Sequence, residues 1–221
     1  MFDRLPTAES WPDVTISDDG RHLLIHMMVG WTRIDIHLLD VATGTWAPVI
    51  EGAQAQTTLR VVGDTLVGVT TLDAPNGRAI AASLAAPDDW MTIVPERPDV
   101  VLGAHATCGD ELLVVASRVG VDTVERWPAG ALQPTPLDLG IASVVALDAA
   151  DGRAFVARGT FGAPVDLLRF TPADGVRQWG TAPDAALLPT LTVTQVQYPS
   201  LDGTLIPMFV AHRADITPSA D

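Results

Sequence analysis

Apolar and polar positions along the chain fall into a recurring figure. An apolar strand is followed by an Asp/Gly turn and then by a second, more apolar strand. Val14-Thr15-Ile16 precedes Ser17-Asp18-Asp19-Gly20 and His22 to Met27; Thr58 to Val62 precedes Gly63-Asp64 and Leu66 to Thr70. Ala104 to Thr107 precedes Gly109-Asp110 and Leu112 to Ala116; Val144 to Leu147 precedes Asp151-Gly152 and Ala154 to Ala157. Gly20, Gly63, Gly109 and Gly152 therefore recur at intervals of 43, 46 and 43 residues. A third, alternating segment follows in each unit (Arg33 to Leu39, Ala79 to Leu84, Thr123 to Trp127, Val165 to Phe170). A short fourth follows at Trp46 to Ile50, Trp90 to Val94 and Val176 to Trp179. Asp40 to Gly44 and Thr171 to Gly175 have the composition of hairpin turns between the third and fourth strands.

Four antiparallel strands in about 40–45 residues is the size of one propeller blade. No stretch carries helical periodicity over three turns. The pattern predicts an all-β chain, a partial β-propeller of about four four-stranded antiparallel blades, near residues 13–52, 56–97, 100–139 and 142–181. A β-sandwich, which also spaces short strands by turns, is the rival arrangement. Residues 1–183 form the predicted propeller part. Residues 184–221 differ: Asp184 to Thr190 reads as a linker, and Thr192 to Tyr198 and Leu205 to Ala211 read as a hairpin turning at Pro199 to Gly203. A lone hairpin is marginal in water, so this one is expected to belong to a further domain.

Composition narrows the function classes. The formal net charge is −14, with 13 basic residues that are all arginine. Such a chain repels phosphate backbones and lacks the basic patch that anionic membranes attract, so neither a nucleic acid nor a membrane is an expected partner. Cys108 is the single cysteine, which rules out an intrachain disulfide and a thiolate metal cluster. Met1-Phe2-Asp3-Arg4 shows no signal-peptide pattern and no apolar run approaches a membrane span, so a cytoplasmic protein is the expectation.

The segment Val193 to Arg213 closely resembles the entry into the α/β-hydrolase domain of the prolyl oligopeptidase family of serine peptidases. Tyr198-Pro199-Ser200, Asp202-Gly203-Thr204 and Ile206-Pro207-Met208-Phe209 stand in the order and spacing of that family. Ile16 to Arg21, Asp73 to Arg78 with Trp90 and Ile93 to Glu96, and Gly140 to Val145 are similar to family propeller segments, each weakly specific alone. The resemblance implies the last blades of a longer propeller and the first hairpin of an α/β-hydrolase domain that these residues do not contain. It implies a substrate-gating role in an endopeptidase cleaving short proline-containing peptides, with the peptide and the hydrolase domain as partners. It also places Trp11 and Trp31 at two positions that face the substrate from the propeller side, where the family commonly has Met and Cys. A flat aromatic surface there suits apolar peptide side chains; ordinary packing is the alternative for both residues.

No catalytic residue is expected in the chain. An α/β-hydrolase peptidase needs G-x-S-x-G followed by Asp and His, and the 221 residues contain no such elbow. Ser200, Asp202 and His212 are close in sequence but lie on one hairpin, where a plain turn is the simpler reading. His22 and His26 share a strand face, yet at about 13 Å by strand rise they cannot hold one metal. Neither a metal nor a cofactor is predicted. Cys108 reads as a small buried thiol beside a turn, and Trp46, Trp90 and Trp179 as outer-strand packing residues between blades. The chain alone is thus expected to be inactive. A stand-alone propeller-like module binding a protein partner is the alternative, and a hydrolytic propeller with central carboxylates and a metal lacks its ligand pattern.

Overall fold

The computed structural model describes residues 8–180 and 188–217. Every regular element among them is a strand. The first sheet is a meander of β1 (Ser10–Ile16), β2 (His22–Val29), β3 (Arg33–Asp40) and β4 (Thr45–Ile50). The second contains β5 (Thr57–Val62), β6 (Thr65–Thr70), β7 (Arg78–Ser83) and β8 (Ala86–Val94). The third contains β9 (Val101–Cys108), β10 (Glu111–Arg118), β11 (Val121–Pro128) and β12 (Thr135–Leu137), and the fourth β13 (Ser143–Ala150), β14 (Arg153–Gly159), β15 (Asp166–Thr171) and β16 (Gly175–Gly180). A two-stranded sheet completes the set, β17 (Leu191–Pro199) with β18 (Leu205–Arg213). The fold class read from the sequence is therefore the one observed: four antiparallel blades and a hairpin. Most of the expected linker, and the boundary at 183/184, lie outside the described residues.

Turn chemistry sets this arrangement. Between β1 and β2 the Ser17 hydroxyl donates to Asp19 at 2.6 Å, and Asp19 accepts the Arg21 N–H at 3.0 Å. Ser17 also accepts the His22 N–H at 3.0 Å, so the side chains reproduce a backbone turn before the second strand begins. Gly20 closes the turn at φ 71°, a left-handed conformation that costs glycine nothing. At the equivalent turn of the fourth blade both Asp151 (φ 52°) and Gly152 (φ 69°) are left-handed, the geometry of a tight hairpin.

The chain divides into two compact units, Met1–His105 and Ala106–Asp221, with the division inside β9. In the first unit, Leu24, Ile36 and Leu38 of the first blade share a core with Leu59, Leu66 and Ile80 of the second. In the second unit, Leu113 and Val124 of the third blade share one with Leu147, Val156, Leu168 and Phe170 of the fourth. Central strands are covered on both faces, which explains their unbroken apolar runs: Leu112 to Ala116 of β10 are all buried. Outer strands alternate irregularly instead, as in β8 and β16. At about 1.5–3 kcal/mol per fully buried aliphatic side chain, these two cores dominate the stability of their units.

Candidate functional site

Trp11 lies on β1 opposite Met28, and Trp31 occupies the turn from β2 to β3. The sequence separates them by 20 residues, yet the hairpin geometry brings their rings to 6.0 Å, edge to face at 74°. The turn is fixed through its backbone. Gly30 adopts φ 63° and its N–H donates to the Glu9 carbonyl at 3.3 Å, while the Trp31 carbonyl accepts from Gln56 Nε2 at 2.7 Å. Thr32 donates to Gln54 at 3.3 Å in the same stretch. The Trp31 side chain takes no part in these contacts and is 83% exposed; Trp11 is 38% exposed. A large aromatic ring kept in water on an anchored backbone leaves both a ring face and a ring edge open to contact. The geometry thus joins the two residues singled out from the sequence, and ordinary core packing does not describe Trp31.

The other tryptophans behave differently. Trp90 packs against the first unit's core, and Trp127 is buried with its indole N–H donating to Glu125 at 3.3 Å. Trp179 is 59% exposed and lies edge to face on Phe155 of its own sheet at 4.8 Å, so its ring contact is within a blade and not between blades.

In the second unit the hairpin docks on two blade turns. Gln195 Nε2 of β17 donates to the Val119 carbonyl at 2.6 Å, and the Phe209 ring of β18 lies against Gly120. Phe209 also meets Phe161 at 4.9 Å, and Leu191 packs on Gly162. Val119 sits at φ 52°, a strained conformation for a β-branched residue, at the point that receives the hairpin. Beside this joint an open groove of about 350 Å³ is lined by Ile141, Phe161, Leu188, Leu191 and Val193 among others. The outer side of the hairpin leaves Tyr198, Leu205, Met208 and Val210 exposed. Sequence reasoning found the hairpin but not its seat, because nothing in Arg118-Val119-Gly120 marks a β-branched residue for a left-handed turn.

The remaining candidates do not assemble into chemistry. Ser200 donates to Asp202, which also accepts the Thr204 N–H at 3.0 Å. These bonds, the serine's first, hold the Asp202 carboxyl down at about 2. His212 pairs with Thr192 at the other end of the hairpin, about 23 Å along the strand from the turn, so the three residues form a turn and a distant ring. Cys108 is fully buried, and burial followed by the nearby Glu111 charge pushes its thiol up, away from reactivity. His22 and His26 both lie on β2, where His26 is buried and binds the Leu59 N–H at 3.1 Å. Among the described residues no three His, Cys, Asp or Glu side chains converge on a metal position, and none forms a helix able to cross a membrane.

Blades of four antiparallel strands, a core shared within each pair and a docked hairpin define a β-propeller segment. Residues 6–179 match the model of the prolyl oligopeptidase N-terminal β-propeller domain, and the chain belongs to that family. It is similar to the prolyl endopeptidase of Elizabethkingia meningoseptica, 22% identical over 206 residues, covering 90% of this chain and 29% of that protein. A chain solved in a structural and mechanistic analysis of two prolyl endopeptidases superposes with a TM-score of 0.79 at 22% identity, over 95% of this chain and 32% of that one. Oligopeptidase B from Leishmania major superposes with a TM-score of 0.75 at 19% identity, over 96% of this chain and 33% of that one. At these identities the solved structures establish the fold, and the chain spans about a third of their length.

Proposed function

We propose that this chain is the substrate-gating propeller segment of a prolyl-oligopeptidase-like serine endopeptidase that cleaves short proline-containing peptides. In this reading it works with an α/β-hydrolase domain that the 221 residues do not contain, and alone it hydrolyses nothing. The observation that carries the proposal is the family match over residues 6–179, with a hairpin beyond it seated on blade turns. The blades contribute walls: a peptide reaches the catalytic domain only past them, and a folded protein is excluded by size.

Trp11 and Trp31 are assigned the role of an aromatic surface for peptide side chains. The turn bearing Trp31 joins the second and third strands of its blade, and the turn that receives the hairpin, Val119-Gly120, joins the second and third strands of another. The pair takes the place of smaller residues common in the family and presents a broader aromatic surface to an apolar peptide side chain.

The test is a chimaera in which this chain replaces the matching segment of the Elizabethkingia prolyl endopeptidase, assayed beside the chain alone on a proline-containing reporter peptide. The chimaera is expected to hydrolyse the reporter and the chain alone is not. Hydrolysis by the purified chain would overturn the assignment. In the chimaera Trp31→Ala is expected to raise KM about fivefold with kcat unchanged, as for loss of one apolar contact of about 1 kcal/mol; an unchanged KM would remove the tryptophans from the substrate path.

A further inference from the structure

Two histidines in the first unit are buried and form no salt bridge, and both reach β5 at consecutive residues. His26 of β2 and His105 of β9 are each 5% exposed. His26 Nε2 accepts the Leu59 N–H at 3.1 Å, and His105 Nδ1 lies 3.4 Å from the Thr58 hydroxyl. His26 Nδ1 and His105 Nε2 have no hydrogen-bond partner. β5 is an edge strand of its sheet, paired only with β6, so its other edge would leave the buried Leu59 N–H unpaired. A neutral imidazole from the first blade satisfies it.

That bond requires an unprotonated Nε2. A proton placed there removes the acceptor and sets two donors against each other, in a site where Leu59 is 1% exposed. The charged groups around the rings do not stabilise the cation evenly. Asp13 faces His26 from β1, where the register sets the two residues opposite each other, and β3 presents Ile36. Arg60 of β5 opposes a charge on either ring, His26 and His105 oppose each other, and from β6 only the Val67 backbone favours a charged His105.

We infer that His26 and His105 form an acid-released latch on β5: neutral, they join the second blade to its neighbouring strands within the first unit, and on protonation His26 lets go of the Leu59 amide, with Asp13 as its alternative partner. Burial, the largest cause for each ring, lowers the pKa of both, His105 to about 4. The unfolded chain charges these rings near 6.5 and the folded chain refuses the proton. Stability therefore falls as pH drops from about 6.5 towards 4 and levels off below that. Each ring raises the unfolding equilibrium constant by up to about tenfold per pH unit in this window.

The experiment is denaturant unfolding of the 221-residue chain at pH 7.0, 6.0, 5.0 and 4.5, with exchange protection of the Leu59 amide followed in parallel. The native chain is expected to lose stability with a slope above one proton, and the Leu59 amide to lose protection first. His26→Gln/His105→Gln keeps acceptors that do not titrate and is expected to flatten the slope by one to two protons. If that variant does not fold, imidazole NMR titration of the native chain decides: ring protonation coincident with Leu59 opening supports the latch. An equal slope in native and variant chains, or Leu59 protection unchanged while the rings titrate, would overturn it.

Discussion

The two units are built from the same strand pattern but close their interiors by different means. In Met1–His105 the contacts between sheets include buried polar groups. His26 of the first sheet caps the Leu59 amide of the second, and within the second sheet the hydroxyls of Thr57 and Thr70 meet at 2.6 Å with almost no exposure. In Ala106–Asp221 the third and fourth blades share an apolar core, and the polar groups at its margin are paired ions. Arg126 grips Glu111 at 2.7 and 2.5 Å and lies over the Phe170 ring, and Arg158 grips Asp166 at 3.0 and 2.6 Å. Among the described residues the second unit buries no histidine. A repeated blade sequence thus leaves the choice of seam open: a hydrogen-bonded seam ties unit stability to protonation, and an apolar one does not.

The contrast between the units is challenged most severely at Gly68. A Cβ there would stand 1.9 Å from the Thr58 carbonyl oxygen, so Gly68→Ala must push β5 away from β6 and against the His26 ring on its other edge. A loss of about 3 kcal/mol is expected from overpacking of this kind, read by denaturant unfolding; an unchanged midpoint would mean that β5 is not held as described. In the second unit Glu111→Ala leaves the half-buried Arg126 without its carboxylate. A loss of about 2 kcal/mol is expected, smaller than for a fully buried pair because both groups keep some solvent. Its size should not change between pH 7 and 5, unlike the pH response of the first unit.

A substitution in the opposite direction probes the seat of the docked hairpin. Val119→Asn places a residue tolerant of left-handed backbone at φ 52° and leaves the carbonyl that Gln195 uses. A gain of about 1 kcal/mol is expected from relieved strain, measured as a rise in the unfolding midpoint. The smallest effect is local: Ser200→Ala removes the first cause of the low Asp202 value, about 2, so that carboxyl should titrate closer to an ordinary aspartate. Because the group is exposed, stability above and below that range should hardly change, and an NMR pH titration of Asp202 checks both points.

Much of this fold is legible in the sequence because the signals are local. Turn glycines and Asp/Gly pairs locate the first and second strands of every blade, and the third strands fall within about two residues of their expected places. Strands carrying proline read short or escape notice. β8 begins at Ala86, ahead of the Pro87-Asp88-Asp89 that hides its start, and β12 is three residues around Pro136. Both are outer strands, where a missing N–H costs nothing. Trp11 and Trp31 stand out by resemblance, but their edge-to-face meeting depends on the register that sets Trp11 against Met28. The His26–β5–His105 arrangement leaves no sequence trace. Its members lie on three different sheets, and in sequence the nearest histidine to His26 is His22 of its own strand.

The proposed gating role predicts that the chimaera separates substrates that differ only in bulk. The chimaera can be given one proline-containing sequence both as a free short peptide and as an exposed loop of a folded protein. The free peptide is expected to be cleaved and the folded protein spared at the same concentration. Equal cleavage rates on both would contradict size-gated entry.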